Sequence, residues 1–112
     1  MSAPEDFEVM VVGTDGEAVA YVVGEVDLNV CDRLMEALIL ASADSNRLVI
    51  DLSRTTFIDS TGLMALVDVW HSRVDAGVEV VLREPSPAVM RILQLVGLAD
   101  LLPIDRTNRQ SL

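Results

Sequence analysis

The chain of 112 residues is short of several things, and each shortage narrows what it does. It has one cysteine, Cys31, so no disulfide can close within it. One cysteine and one histidine, His71, cannot make a structural zinc site, and no metal or other cofactor is expected. Aromatic residues are 4% of the chain, so any core must be aliphatic. Basic residues number 8 against 18 acidic ones, a net charge of −10. That is the wrong balance for neutralising nucleic-acid phosphates or for docking on an anionic membrane. It suits basic protein partners, whose encounter rates a strong negative charge raises. No apolar run approaches the length of a transmembrane helix. The opening Met1-Ser-Ala-Pro-Glu-Asp6 lacks the basic and apolar regions of a signal peptide, so a soluble cytoplasmic protein is expected. Neither a Gly-x-Ser-x-Gly elbow nor a Gly-x-x-x-x-Gly-Lys phosphate loop occurs, and no enzyme is expected.

What the chain has is aliphatic content. Hydrophobic residues make up 51%, enough for one domain with a buried core. Phe7-Glu-Val-Met-Val-Val12 reads as a strand, Thr14-Asp15-Gly16-Glu17 as a hairpin turn, and Ala18-Val-Ala-Tyr-Val-Val23 as the return strand, ended by Gly24. Glu25–Asn29 reads as a loop in which Asp27 or Asn29 caps a helix over Val30–Ala43. Arg47–Leu52 is apolar enough for a central strand. A second helix spans Ser60–Ala76 and stops at Gly77; Val78–Leu82 is a strand. A third helix starts at the Ser86-Pro87 cap and runs to Gly97. Leu101-Leu-Pro-Ile104 reads as a short edge strand. The order predicts one α/β domain over 1–112, with an ordered core over 7–104 and a flexible tail over 105–112. Its sheet is mixed, opens with a hairpin and carries three main helices.

The chemistry-bearing stretch is Asp51-Leu-Ser-Arg-Thr-Thr-Phe-Ile-Asp-Ser-Thr-Gly-Leu63, a strand that runs through a turn into the second helix. Thr55 and Thr56 read as residues that shape the turn. Ser60 stands at the helix N-terminus, where the backbone amides and the helix dipole tolerate a phosphate. Gly62 beside it removes side-chain bulk, so a partner is expected to pack closely there. Asp59 has two readings, a carboxylate that orients the Ser60 hydroxyl and a plain helix cap. Thr61 reads as a helix-start residue. A helical wheel puts Leu63, Leu66, Val67, Trp70 and Val74 on one side, and Ser60, Met64 and His71 on one stripe bordering the polar face. Met64 is then an exposed apolar residue, either a partner contact or an ordinary surface methionine. His71 reads as a solvated helix residue and Cys31 as a small buried apolar one. A serine nucleophile is unsupported, because His71 lies about 16 Å further along the same helix.

The run Asp51-Leu-Ser…Phe57-Ile-Asp-Ser-Thr-Gly-Leu63 resembles the conserved site of STAS domains, above all the bacterial anti-sigma factor antagonists. Gly24-Glu-Val-Asp27, Gly77-Val-Glu-Val-Val-Leu82 and Ser86-Pro-Ala-Val…Leu93…Gly97-Leu98 extend the resemblance from about Phe7 to Ile104. The resemblance implies partner switching. The unphosphorylated antagonist binds an anti-sigma factor with serine kinase activity and so frees a sigma factor. Phosphorylation, here of Ser60, ends the binding, and a serine phosphatase restores it. Asp27, Asp59, Ser60, Thr61, Gly62, Met64 and His71 are the partner-binding candidates, and the free chain is expected to be a monomer. The alternative is a STAS scaffold or accessory subunit of a signalling assembly or lipid-transport complex, with no phosphorylation switch. Two segments depart from the family pattern. Asn29-Val30-Cys31 replaces a threonine common there, and the end, Arg106–Leu112, is too short for the further helix many relatives carry.

Overall fold

Alternating apolar residues build an antiparallel hairpin from β1 (Phe7–Thr14) and β2 (Glu17–Val26), closed by Asp15 and by Gly16 at φ +75°. The computed structural model describes residues 6–105; of the tail expected over 105–112, Asp105 belongs instead to the last strand, and the rest lies outside the described residues. After β2 come a 3-10 turn (Leu28–Val30), α1 (Cys31–Ala41), β3 (Arg47–Asp51), β4 (Thr55–Ile58), α2 (Ser60–Asp75), β5 (Glu79–Arg83), α3 (Pro87–Leu95) and β6 (Ile104–Asp105).

β2 is the hub of the sheet. It pairs antiparallel with β1, parallel with β3 through Glu17–Tyr21, and parallel with β4 through Gly24–Val26. The order is β1-β2-β3-β5-β6, with β4 off that path beside the end of β2. The mixed sheet and three helices match the expectation. Ala18, Ala20, Val22 and Val26 of β2 join Leu48 and Ile50 of β3 in one cluster with Leu34 and Leu38 of α1 and Leu63, Leu66 and Val69 of α2. On the opposite side of the sheet Asp51 accepts from Arg83 Nε at 2.8 Å, and Arg83 Nη2 lies 3.3 Å from the Tyr21 hydroxyl. This group ties β2, β3 and β5 together.

Several boundaries differ from the sequence reading. β2 does not end at Gly24; it continues to Val26 with a register shift at Gly24 and Glu25. Gly24 sits at φ +101°, and a β-carbon there would collide with the Asp6 backbone. Thr55 and Thr56 are strand residues: Thr55 is buried, and its hydroxyl donates to the Val22 carbonyl at 2.8 Å, tying β4 to β2. α1 begins one residue later than expected and stops at Ala41, where the buried Ser42 hydroxyl turns back onto the Leu38 carbonyl at 2.9 Å. α2 buries Ala65 and Val69, whereas Val74 is exposed near its end. α3 ends at Leu95, and the last strand is Ile104–Asp105, beyond Pro103, rather than Leu101–Ile104.

Candidate functional site at the start of the second core helix

The junction of β4 and α2 is pinned to the end of β2. The Asp59 amide donates to the Val26 carbonyl at 3.2 Å, which brings the first turn of α2 against the sheet. Gly62 makes that approach possible. A β-carbon there would lie 2.6 Å from Val26 Cγ1 and 2.8 Å from the Val26 oxygen. The glycine is buried and faces the sheet, so a partner cannot pack on it; the expected contact at Gly62 is corrected. Its role is to let the helix start close to the strand ends.

Asp59 is the N-cap. Its Oδ1 accepts from the Gly62 amide at 2.9 Å and from the Thr61 hydroxyl at 2.6 Å. Of the two readings of Asp59, the cap is the one seen, since its carboxylate holds Thr61 and the helix amide rather than the Ser60 hydroxyl. Partial burial opposes its charge, but these hydrogen bonds outweigh it and keep the carboxyl below its ordinary range. Ser60 is the first residue of α2 and is exposed; its hydroxyl makes no hydrogen bond among the described residues.

Across from this turn, Asp27 caps the 3-10 turn by accepting from the Asn29 amide at 2.9 Å. The expected Asn29 cap on α1 is absent, because Val30 occupies the cap position and no side-chain bond closes it. The Cys31 thiol donates to the Asp27 carbonyl at 3.2 Å and is half-buried rather than fully buried. Burial pushes this thiol up, Asp59, Asp27 and Asp32 add to the rise, and a hydrogen bond with Thr61 only partly offsets it. The thiol stays protonated and weakly nucleophilic near neutrality.

Between the two segments runs an open groove of about 360 Å³, lined by Leu28, Cys31, Met35, Ser60, Thr61, Met64, Ala65 and Asp68. Ser60, Thr61 and Met64 thus meet in one place, with Asp27 and Asp59 bonded into its two rims. Sequence reasoning missed Leu28, the most exposed apolar residue here at 71%. It lies in a segment read as loop, and an apolar residue in a polar loop was the available signal. His71 is exposed but outside this groove, with its ring stacked on Trp70 at 5.0 Å. A larger concavity of about 540 Å³ lies between β4 and α3, where Arg91 is the one charged side chain and no hydroxyl residue lines it. The smaller groove is the better candidate because the Ser60 hydroxyl borders it. Among the described residues, no group of three or more His, Cys, Asp or Glu is placed to hold a metal ion.

The chain belongs to the STAS domain family, whose model matches residues 8–111. It is 32% identical over 85 residues to an anti-sigma-B factor antagonist of Listeria monocytogenes, covering 75% of each chain. It is 43% identical over 67 residues to the anti-sigma-F factor antagonist RsfB of Mycobacterium tuberculosis, covering 59% of this chain and 55% of that one. An anti-sigma factor antagonist from Mycobacterium paratuberculosis has the same fold, with TM-score 0.80 and 30% identity over 99% of this chain and 95% of that one.

Proposed function

We propose that this protein is an anti-sigma factor antagonist that works by partner switching, with the whole chain acting as one domain in the cytoplasm. The observation that carries the reading is the exposed Ser60 hydroxyl on the first turn of α2, bordering an apolar groove with acidic rims. In the unmodified state an anti-sigma factor with serine kinase activity covers the groove. Leu28 and Met64 supply apolar contact, Ser60 and Thr61 supply hydroxyls, and Asp27 and Asp59 attract basic groups of the partner. The role is binding without catalysis. Among the described residues no helix is long and apolar enough to cross a membrane.

Phosphorylation of Ser60 adds about −1.5 to −2 charge beside the Asp59 carboxylate. Both the helix dipole and solvent exposure accommodate that charge, so α2 keeps its form. The switch acts at the interface instead, by bulk, by desolvation of a dianion and by repulsion from acidic partner groups. A serine phosphatase resets it.

The test is a pull-down from host lysate with wild-type, Ser60→Ala and Ser60→Asp baits, read by mass spectrometry. Capture of an anti-sigma factor kinase by wild type and Ser60→Ala, with capture lost in Ser60→Asp, is the expected outcome. Equal capture of one set of partners by all three overturns the switch and favours a STAS scaffold of a signalling or lipid-transport assembly.

A further inference from the structure

The two edges of the sheet are treated very differently. Among the described residues β6 has two residues and follows Pro103, which limits it as a template for another strand. β1 runs unbroken for 8 residues, pairs with β2 from Phe7 to Thr14 with no register shift, and has no proline and no basic residue. Its one charge is Glu8, near its start. Among the described residues nothing bonds to its outer edge. Val11 is 47% exposed on the side chain series that includes buried Phe7, and Val12 is 53% exposed on the other, so both faces of the edge carry uncovered apolar surface. Leu40, near the end of α1, is 68% exposed. α1 ends where β3 is about to begin, at the hairpin end of the sheet.

From these features we propose that β1 is a self-association edge, on which β1 of a second copy pairs antiparallel about a two-fold axis. The sequence of the strand suits this pairing. Opposed residues in an antiparallel pair share a face, so their numbers in two identical strands must sum to an even value. The longest overlaps then place the axis at Met10 or at Val11. Neither sets Glu8 against Glu8 of the second copy, so the only charge on the strand meets no like charge. The axis at Val11 has a further advantage. It brings Phe7 beside the hairpin-turn residue Asp15 of the second copy, one position beyond that copy's β1, and the Arg33 guanidinium lies over the Phe7 ring, 5.1 Å from its centroid. Neither Arg33 nor Asp15 has an ion pair within its own chain among the described residues. The two-fold operation therefore brings complementary charges together just past both ends of the shared ladder, with valines at the centre.

The pairing joins two sheets into one and places the helices of both copies on the same face. Ser60 stays accessible in each copy, because it stands at the end of the β4 path beyond β2 rather than on the β1 edge. Net charge opposes association: each copy carries −10, so the dimer tightens as salt screens that repulsion. A salt-favoured dimer, rather than the free monomer expected from the sequence, follows from this pairing.

Sedimentation of the full chain up to about 1 mM, at low and moderate salt, tests this directly. A reversible dimer that strengthens with salt is expected. Val11→Lys places two ammonium groups at the axis and is expected to weaken the dimer roughly tenfold or more; since Val11 is exposed, circular dichroism should show the fold retained. Arg33→Glu is expected to weaken it, and Arg33→Glu combined with Asp15→Arg to restore it, which loss of the Phe7 contact alone would not allow. A monomer at every concentration overturns the proposal. So does a dimer that ignores both Val11→Lys and the charge exchange.

Discussion

Gly62 and Asp59 divide the work at the α2 N-terminus between space and charge. In an open helix an alanine is favoured over glycine by about 1 kcal/mol. At Gly62 the new β-carbon would press on the Val26 carbonyl oxygen, which belongs to the backbone and cannot rotate away. Overpacking of this kind costs about 1–3 kcal/mol and outweighs the gain in propensity. Gly62→Ala is therefore expected to lower the urea midpoint without a change in slope. Asp59→Ala removes the cap and is expected to cost about 1 kcal/mol in the same measurement. It also frees the Thr61 hydroxyl from its 2.6 Å bond. If Asp59 serves only as a cap, a Ser or Asn replacement recovers most of the stability; in pull-downs the same replacements report whether its charge attracts the partner.

The elements are joined by polar side chains at the ends of the parallel strands. Asp51 of β3, 5% exposed, holds Arg83 of β5 and also accepts from the Ser53 hydroxyl at 2.6 Å. Asp51→Asn leaves the Arg83 charge without its counter-ion and is expected to destabilise the fold by about 2–4 kcal/mol in chemical denaturation. Long periodic segments were readable from the sequence: the hairpin, the central β3 and all three helices stand within a few residues of their expected places. β4 was not, because Thr55-Thr56 looks like turn chemistry and only its pairing with Gly24–Val26 of β2, far away in sequence, makes a strand of it. The helical wheel of α2 found Leu63 and Leu66 but missed Ala65 and Val69, since α1 and the sheet enclose more of the helix than one stripe. At the site, the sequence brought out Ser60 and the exposed Met64. It could not show that Gly62 faces inward or that Leu28 stands beside them, because both depend on where the end of β2 meets α2.

The whole molecule responds to pH through the same carboxylates. Burial resists ionisation of Asp51, but its bonds to Ser53 and Arg83 prevail, and both Asp51 and Asp59 titrate below the ordinary carboxylate range when folded. The unfolded chain binds protons on them first as pH falls. Their contribution is therefore complete above the unfolded carboxylate range and is lost as pH drops through the lowered folded values. Urea stability is expected to hold near neutrality and decline in acid. Comparison with Asp51→Asn separates this effect from the general relief of repulsion in a chain of net charge −10. One further property belongs to the molecule as a whole. Trp70 is its only indole and lies half-buried against His71 on the helix that begins with Ser60. Its fluorescence thus comes from a single place and reports the packing of α2. A phosphate that acts only at the interface leaves the emission of the free protein unchanged, whereas one that loosens the helix shifts it to the red. The chain carries its own optical gauge for telling a blocked surface from a disturbed fold.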